Sequence, residues 1–239
     1  MKSLFAMPGN VQSDQDLGKP APPLQKPPEP GHELIGLPNP DPSVLRKSGI
    51  HACFADRCSR RQFTPEALAL DQLSYLLWAT QGVRRVVADG KVTLRTVPSG
   101  GARHPFETYL IVNRVINLEP GICRYLPLSH QLVRLTRQTG LPGRVVAACN
   151  GQEFVAESAV VFVWSCVPYR AEWRYHLRSH KTMLLDAGHL CQNLYLACEA
   201  LGAGTCAVAA YSQQAMDQLL GLDGEDEFVV YLAPVGWPA

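Results

Sequence analysis

The apolar positions along the chain repeat with two periods. At 71–80 (DQLSYLLWAT), Leu73, Leu76, Leu77 and Thr80 fall at i, i+3, i+4 and i+7, which predicts an amphipathic helix that Gly82 would stop. Residues 106–112 (FETYLIV) are aromatic and β-branched and predict a strand, followed by shorter strands at 122–125 and 132–135 and a short helix at 141–148. The run 159–167 (AVVFVWSCV) is apolar almost throughout, as in a strand covered on both faces. A long helix at 181–201 ends at Gly202. It is followed by a strand at 205–209, a helix at 213–220 and a last strand at 228–232. The regular βαβ alternation of a dinucleotide-binding domain is missing, so the pattern predicts one α+β domain without internal repeats.

Ten of the nineteen prolines precede residue 43. Proline removes an amide donor and blocks helix and central strand, so 1–42 is expected to be an extended or disordered arm, and 43–239 the folded domain. The alternative reading is an arm that wraps over a neighbouring subunit, and the sequence does not decide between them.

Composition narrows the function classes. The formal charge of +1 lacks the basic excess of a nucleic-acid binder. No apolar run is long enough for a membrane span, and the short apolar patch before Pro8 is too small for a signal peptide, so the expected location is cytoplasmic. The eight cysteines form no C-x-x-C pair and are expected to be reduced core thiols without a metal.

Four segments carry candidate chemistry. Arg57, Ser59 and Arg61 alternate two guanidiniums with a hydroxyl, a donor set suited to a phosphate and to the electron-rich edge of a reduced flavin. A solvated basic loop would look the same. Pro98-Ser99-Gly100-Gly101 is either a plain turn or a backbone that approaches a flat ligand with no Cβ in the way. In 185–195, Leu185, Gly188, Gln192 and Tyr195 recur near helical spacing, and a helical glycine marks close packing or a nearby ligand. The small residues of 201–211 either stop a helix and enter a tight strand or offer amide N–H groups to a ring.

The order R-x-S-x-R-x-F, P-S-G-G-A-x-x-P, D-A-G-H-x-x-Q-N-L and A-L-G-A-G-T-C, together with the helix end L-L-W-A-T-Q-G, resembles the nitroreductase superfamily and within it the SagB/ThcOx-type dehydrogenases, over roughly 57–236. The resemblance implies a central, mostly antiparallel sheet flanked by helices and an interlocked homodimer with FMN in the subunit interface. It implies that Arg57, Ser59 and Arg61 bind phosphate, ribityl and pyrimidine edge. Pro98, Ser99, Gly100 and Gly101 would reach the flavin from the partner, and Val208, Ala209 and Ala210 would face N5 and O4, with Asn150 and Gln152 near the ring. Cys58 stands where the family usually has a basic residue, and the C-terminal phosphate-binding cation of many nitroreductases is expected to have no counterpart here. Arg174 and Tyr175 fall where azoline oxidases have Lys-Tyr; arginine cannot act as a base, whereas Tyr175 can be an acid or base.

The implied activity is hydride transfer through FMN from a small or peptidic substrate. The alternatives are an NAD(P)H-dependent nitro or quinone reductase and a non-catalytic flavin-binding protein. Two further readings come from residue types alone. His176 and His180 have the i, i+4 spacing of a zinc helix without its glutamate, and a cysteine nucleophile could pair with His104 or His189.

Overall fold

The computed structural model describes residues 11–138 and 140–239; the N-terminal patch before Pro8 lies outside them. The described residues form nine strands: β1 (Leu34–Gly36), β2 (Val83–Val87), β3 (Val92–Arg95), β4 (Phe106–Val112), β5 (Gly121–Leu126), β6 (Gln131–Thr136), β7 (Val160–Cys166), β8 (Gly204–Thr205) and β9 (Phe228–Gly236). Seven form one sheet in the order β1-β6-β5-β4-β7-β9-β8, and every neighbouring pair is antiparallel. β2 and β3 form a separate hairpin.

The two strands with unbroken apolar sequence, β4 and β7, lie at the centre and are buried along their whole length. Their alternate residues serve two cores. Phe106, Leu110, Phe162 and Trp164 face α2 (Leu70–Gln81) and α6 (Ser179–Leu201), meeting Leu73, Leu76, Leu77, Leu190 and Leu194. Tyr109, Ile111, Val161 and Val163 face α3 (Leu141–Ala148) and α7 (Gln213–Leu220), meeting Leu141, Val145 and Met216. Burying each of these leucines contributes about 1.5–3 kcal/mol. The sheet is therefore a middle layer between two helical layers, with α6 running across one face.

α6 ends as its sequence requires. Gly202 adopts φ +81°, and its amide donates to the carbonyls of Cys198 and Glu199. α2 has Gln72 Oε1 accepting from Ala69 N at 2.8 Å, half a capping box supplied without a hydroxyl at the cap.

Several elements differ from the pattern-based expectation. The strand expected at 205–209 pairs only at Gly204–Thr205 and again as an isolated bridge between Val208 and Leu232, because the chain bends out of the sheet between them. β9 runs on to Gly236, and α1 (Ile50–Asp56), the β2–β3 hairpin, α4 (Phe154–Glu157) and α5 (Tyr169–Tyr175) carry no pattern strong enough to announce them.

The described part of the arm lies along its own chain. β1 pairs with β6, and three buried guanidinium or indole donors hold arm carbonyls: Trp173 Nε1 to Lys19 O, Arg95 Nη2 to Leu24 O, and Arg124 to Lys26 O and Pro27 O. A proline-rich stretch has no internal hydrogen bonds, so its carbonyls need such partners. Beneath them Glu107 takes ion pairs from Arg124 and Arg170, all three nearly inaccessible to water. All eight cysteines are unpaired, and only Cys58 is exposed. No helix among the described residues is long and apolar enough to cross a membrane.

Candidate functional site

The sequence-predicted residues gather into two clusters on α6. The first joins the 57–61 segment to the bend after β8. Ser59 bridges Thr205, and Arg60 N donates to Thr205 O at 2.9 Å. This approach requires Gly204, because a Cβ there would lie 2.7 Å from the Arg60 side chain. Tyr195, from α6, stands behind the junction. Its Oη lies 2.9 Å from Ser59 Oγ and accepts from Ala207 N at 2.8 Å, while the Arg57 guanidinium sits 5.4 Å from its ring centroid. Gln152 closes the far side, donating through Nε2 to Ala210 O and Cys149 O. Asn150 is beside it, exposed, with φ +55°.

Most donors in this cluster face solvent without a protein partner. Arg61 is exposed and makes no ion pair or hydrogen bond among the described residues, and the same holds for the amides of Ala209 and Ala210. Val208 is different and corrects the expectation for the ring-facing backbone. Its amide donates to Leu232 O at 2.8 Å and its carbonyl accepts from Leu232 N, so sheet pairing leaves neither group for a ligand. The available set is two guanidiniums, one hydroxyl and two amides. All are donors, which fits an anionic phosphate together with the acceptor edge of a flavin.

The second cluster is closed on itself. Ser99 Oγ donates to Asp186 Oδ2 at 2.6 Å, Gly100 N reaches the same carboxylate at 3.2 Å, and His104 N donates back to Ser99 Oγ at 2.9 Å. Burial pushes the Asp186 carboxyl above the usual range, while the Ser99 and Gly100 hydrogen bonds hold it back. Gly101 has φ +58°, and a Cβ there would strike Tyr175 Oη and the Arg174 side chain. The Pro98–Gly101 loop thus rests on Arg174 and Tyr175 from the end of α5. Pro98 and Arg174 are exposed and Tyr175 is half-buried. The sequence pattern contained no signal for Asp186 as the anchor of this loop, because its partner lies 87 residues away.

Asp186 and Tyr195 are nine residues apart on α6, two and a half turns. The clusters they anchor therefore face opposite sides of the helix, about 14 Å apart along its axis. Within one chain the two clusters open on different flanks of α6.

The rival chemistries lose their geometry. His176 sits with φ +50° at the break between α5 and α6, so it does not share a helix with His180, which instead bonds Glu172 Oε1 at 2.9 Å. No group of metal-ligating side chains occurs among the described residues. His104 is buried against Thr93 O, and burial with the nearby Arg95 drives its pKa down to about 3, so it stays neutral. Burial pushes the thiols of Cys166, Cys191 and Cys198 up, away from the thiolate a nucleophile needs.

Comparison with known proteins bears on the same segments. A family model described as the nitroreductase family matches residues 54–237. A Methanocaldococcus jannaschii protein described as a nitroreductase is 31% identical over 180 residues, 75% of this chain and 86% of that protein. The trifolitoxin-processing protein TfxB of Rhizobium leguminosarum bv. trifolii is 29% identical, with 66% of this chain and 44% of TfxB covered. The microcin B17-processing protein McbC of Escherichia coli is 26% identical, with 74% and 61% covered, so this chain spans less than two thirds of either processing protein. Among solved structures, a nitroreductase-type protein of Ralstonia eutropha JMP134 superposes with a TM-score of 0.70 at 26% identity, over 92% of this chain and 98% of that one. The matched span holds both clusters and the whole of α6 between them, and on that ground this chain belongs to the nitroreductase family of oxidoreductases.

Proposed function

We propose that two copies of this chain enclose FMN between them and pass a hydride through it, as a SagB/ThcOx-like dehydrogenase of a small or peptidic substrate. The observation that carries the reading is the division of the site across α6: open donors on one flank and a closed loop on the other. A two-fold pair sets the donor cluster of one copy against the loop of the next. The exposed stripe of α6 supports such a contact. Leu184 and Leu185 are 54% and 53% accessible, and Gly188 and Gln192 follow on the same side. A Cβ on Gly188 would meet nothing within 4 Å among the described residues, which leaves room for a second backbone.

When bound, FMN supplies a two-electron centre that accepts a hydride at N5. The chain's own residues bind and orient it. Arg57 and Ser59 would hold the phosphate and ribityl chain, and Arg61 would place positive charge where the reduced ring gains electrons. The amides of Ala209 and Ala210 would donate to the ring's acceptor edge, and Gln152 fixes the bend that carries them. From the partner, Pro98–Gly101 would wall the ring and exclude water. Its neighbour Tyr175 has a hydroxyl that can move a proton at the substrate; Arg174, as a permanent cation, orients but does not deprotonate. No side chain acts as a nucleophile, and much of the rate comes from positioning.

TfxB and McbC favour a peptidic substrate. The M. jannaschii relative, covered over most of its length, favours the second reading, a reductase fed by NAD(P)H. Anaerobic stopped flow separates them. A dehydrogenase keeps its flavin oxidised when mixed with NADPH or NADH alone, and a reductase bleaches at once. Purified protein that is colourless, monomeric and unable to take up added FMN would overturn both.

A further inference from the structure

We infer that Tyr195 is a positioning residue for the cofactor: its phenol sets the direction of the Ser59 hydroxyl and takes the Ala207 amide out of the set that the 207–210 bend offers. The inference rests on the FMN reading above and concerns a residue to which that reading gives no role.

Tyr195 Oη has two neighbours, Ala207 N at 2.8 Å and Ser59 Oγ at 2.9 Å. An amide can only donate, so Ala207 N–H points at the phenol oxygen. The phenol's own hydrogen then has one acceptor among the described residues, Ser59 Oγ. We take the order as Ala207 N–H to Tyr195 O–H to Ser59 O–H, the one that pairs the phenol hydrogen within the chain and leaves the serine hydrogen for an acceptor outside it. Ser59 is exposed on the side where Arg57 and Arg61 stand, so the third donor of the trio aims at the same anion.

The same bond sorts the bend. Ala207 gives its amide to Tyr195 and Val208 gives its amide to Leu232, so the first amides available to a ligand are those of Ala209 and Ala210. The Arg57 guanidinium over the phenol ring adds a third tie. One side chain from α6 therefore connects the phosphate-binding segment to the ring-facing bend, and an aligned chain of hydrogen bonds polarises each member.

The test is FMN affinity, measured by quenching of flavin fluorescence on the full chain, for wild type, Tyr195→Phe, Ser59→Ala and the double variant. Tyr195→Phe keeps the ring beneath Arg57 and removes only the hydroxyl. It is expected to weaken FMN binding about tenfold, as Ser59→Ala does, and the double variant should be no worse than about tenfold, because both break one chain of bonds. A purely structural tyrosine would give losses that multiply. Wild-type affinity in Tyr195→Phe, or multiplying losses, overturns the role of Tyr195 and leaves the FMN reading standing. A wild type that takes up no FMN sinks the cofactor reading itself and this inference with it. If Tyr195→Phe does not fold, Ser59→Thr against Ser59→Ala still decides: the threonine variant keeps a hydroxyl for the phenol to direct and should bind like wild type, and equal affinities in the two overturn the proposal.

Discussion

The two clusters on α6 use similar residue types for opposite purposes. At Arg61, Ala209 and Ala210, donors are exposed and without a partner among the described residues; around Ser99–Gly101, the hydroxyl and the Gly100 amide are consumed by Asp186, and His104 is buried behind them. The contrast separates grip from wall. Substitutions in the first cluster should change ligand affinity and spare folding, and those in the second should change folding first.

The sharpest break of that contrast is acid. The His104 pKa falls to about 3 in the folded chain, from 6.5. As pH drops the unfolded chain takes up the proton first, so the stability contributed by neutral His104 is complete above pH 6.5 and drains away as pH approaches 3. The loss amounts to about 4 kcal/mol across that window. Denaturant melts at a series of pH values should show a steep fall for wild type and a shallower one for His104→Gln. Parallel curves would mean that the imidazole is not held neutral behind the loop.

The grip side predicts the converse. Arg61 makes no bond among the described residues, so Arg61→Ala should leave the melting temperature unchanged while FMN binds roughly thirtyfold more weakly, the scale of one charge-assisted hydrogen bond. Unchanged affinity, with flavin reduction as fast as in wild type, would remove Arg61 from the site.

How far the chain could be read in advance follows the same division. β4 at 106–112 and α7 at 213–220 match their sequence patterns because apolar period and burial coincide there. β2 escaped because Arg84 and Arg85 interrupt its apolar residues and most of it is exposed. The residues proposed to hold the ligand stand in the sequence as a local motif, R-x-S-x-R. The bond from Ser99 to Asp186 and the phenol between Ser59 and Ala207 were not, because they join segments 87 and 136 residues apart and depend on the rotation of α6. Val208 shows the limit most clearly: a run of small residues predicts available amides, but only the register with β9 shows which one is already taken.

A smaller effect tests the wall itself. Gly101 is in the left-handed region and faces Tyr175, so Gly101→Ala should cost about 1–2 kcal/mol in stability from strain and contact together. Adding Tyr175→Ala should restore part of it by opening the space the new methyl needs. Full additivity of the two in denaturant melts would show that the loop does not rest on that tyrosine.

The smallest expected effect lies where grip and fold meet. Gln152 Nε2 donates to both Cys149 O and Ala210 O, so it belongs to the protein scaffold even though it sits among the ligand donors. Gln152→Ala removes a partner from the carbonyl of Ala210, whose amide is one of the two proposed to face the ring. Water can replace that partner, since the contact is solvent-accessible, so folding should shift little. The bend loses its tether, however, and FMN affinity should fall about fivefold, the worth of about 1 kcal/mol. Gln152→Glu tests the same contact by sign: a carboxylate cannot donate to either carbonyl and brings negative charge beside a site built of donors, so it should bind FMN more weakly than the alanine variant. Equal affinity for glutamate and glutamine would show that the bend at Ala210 is held by the backbone alone.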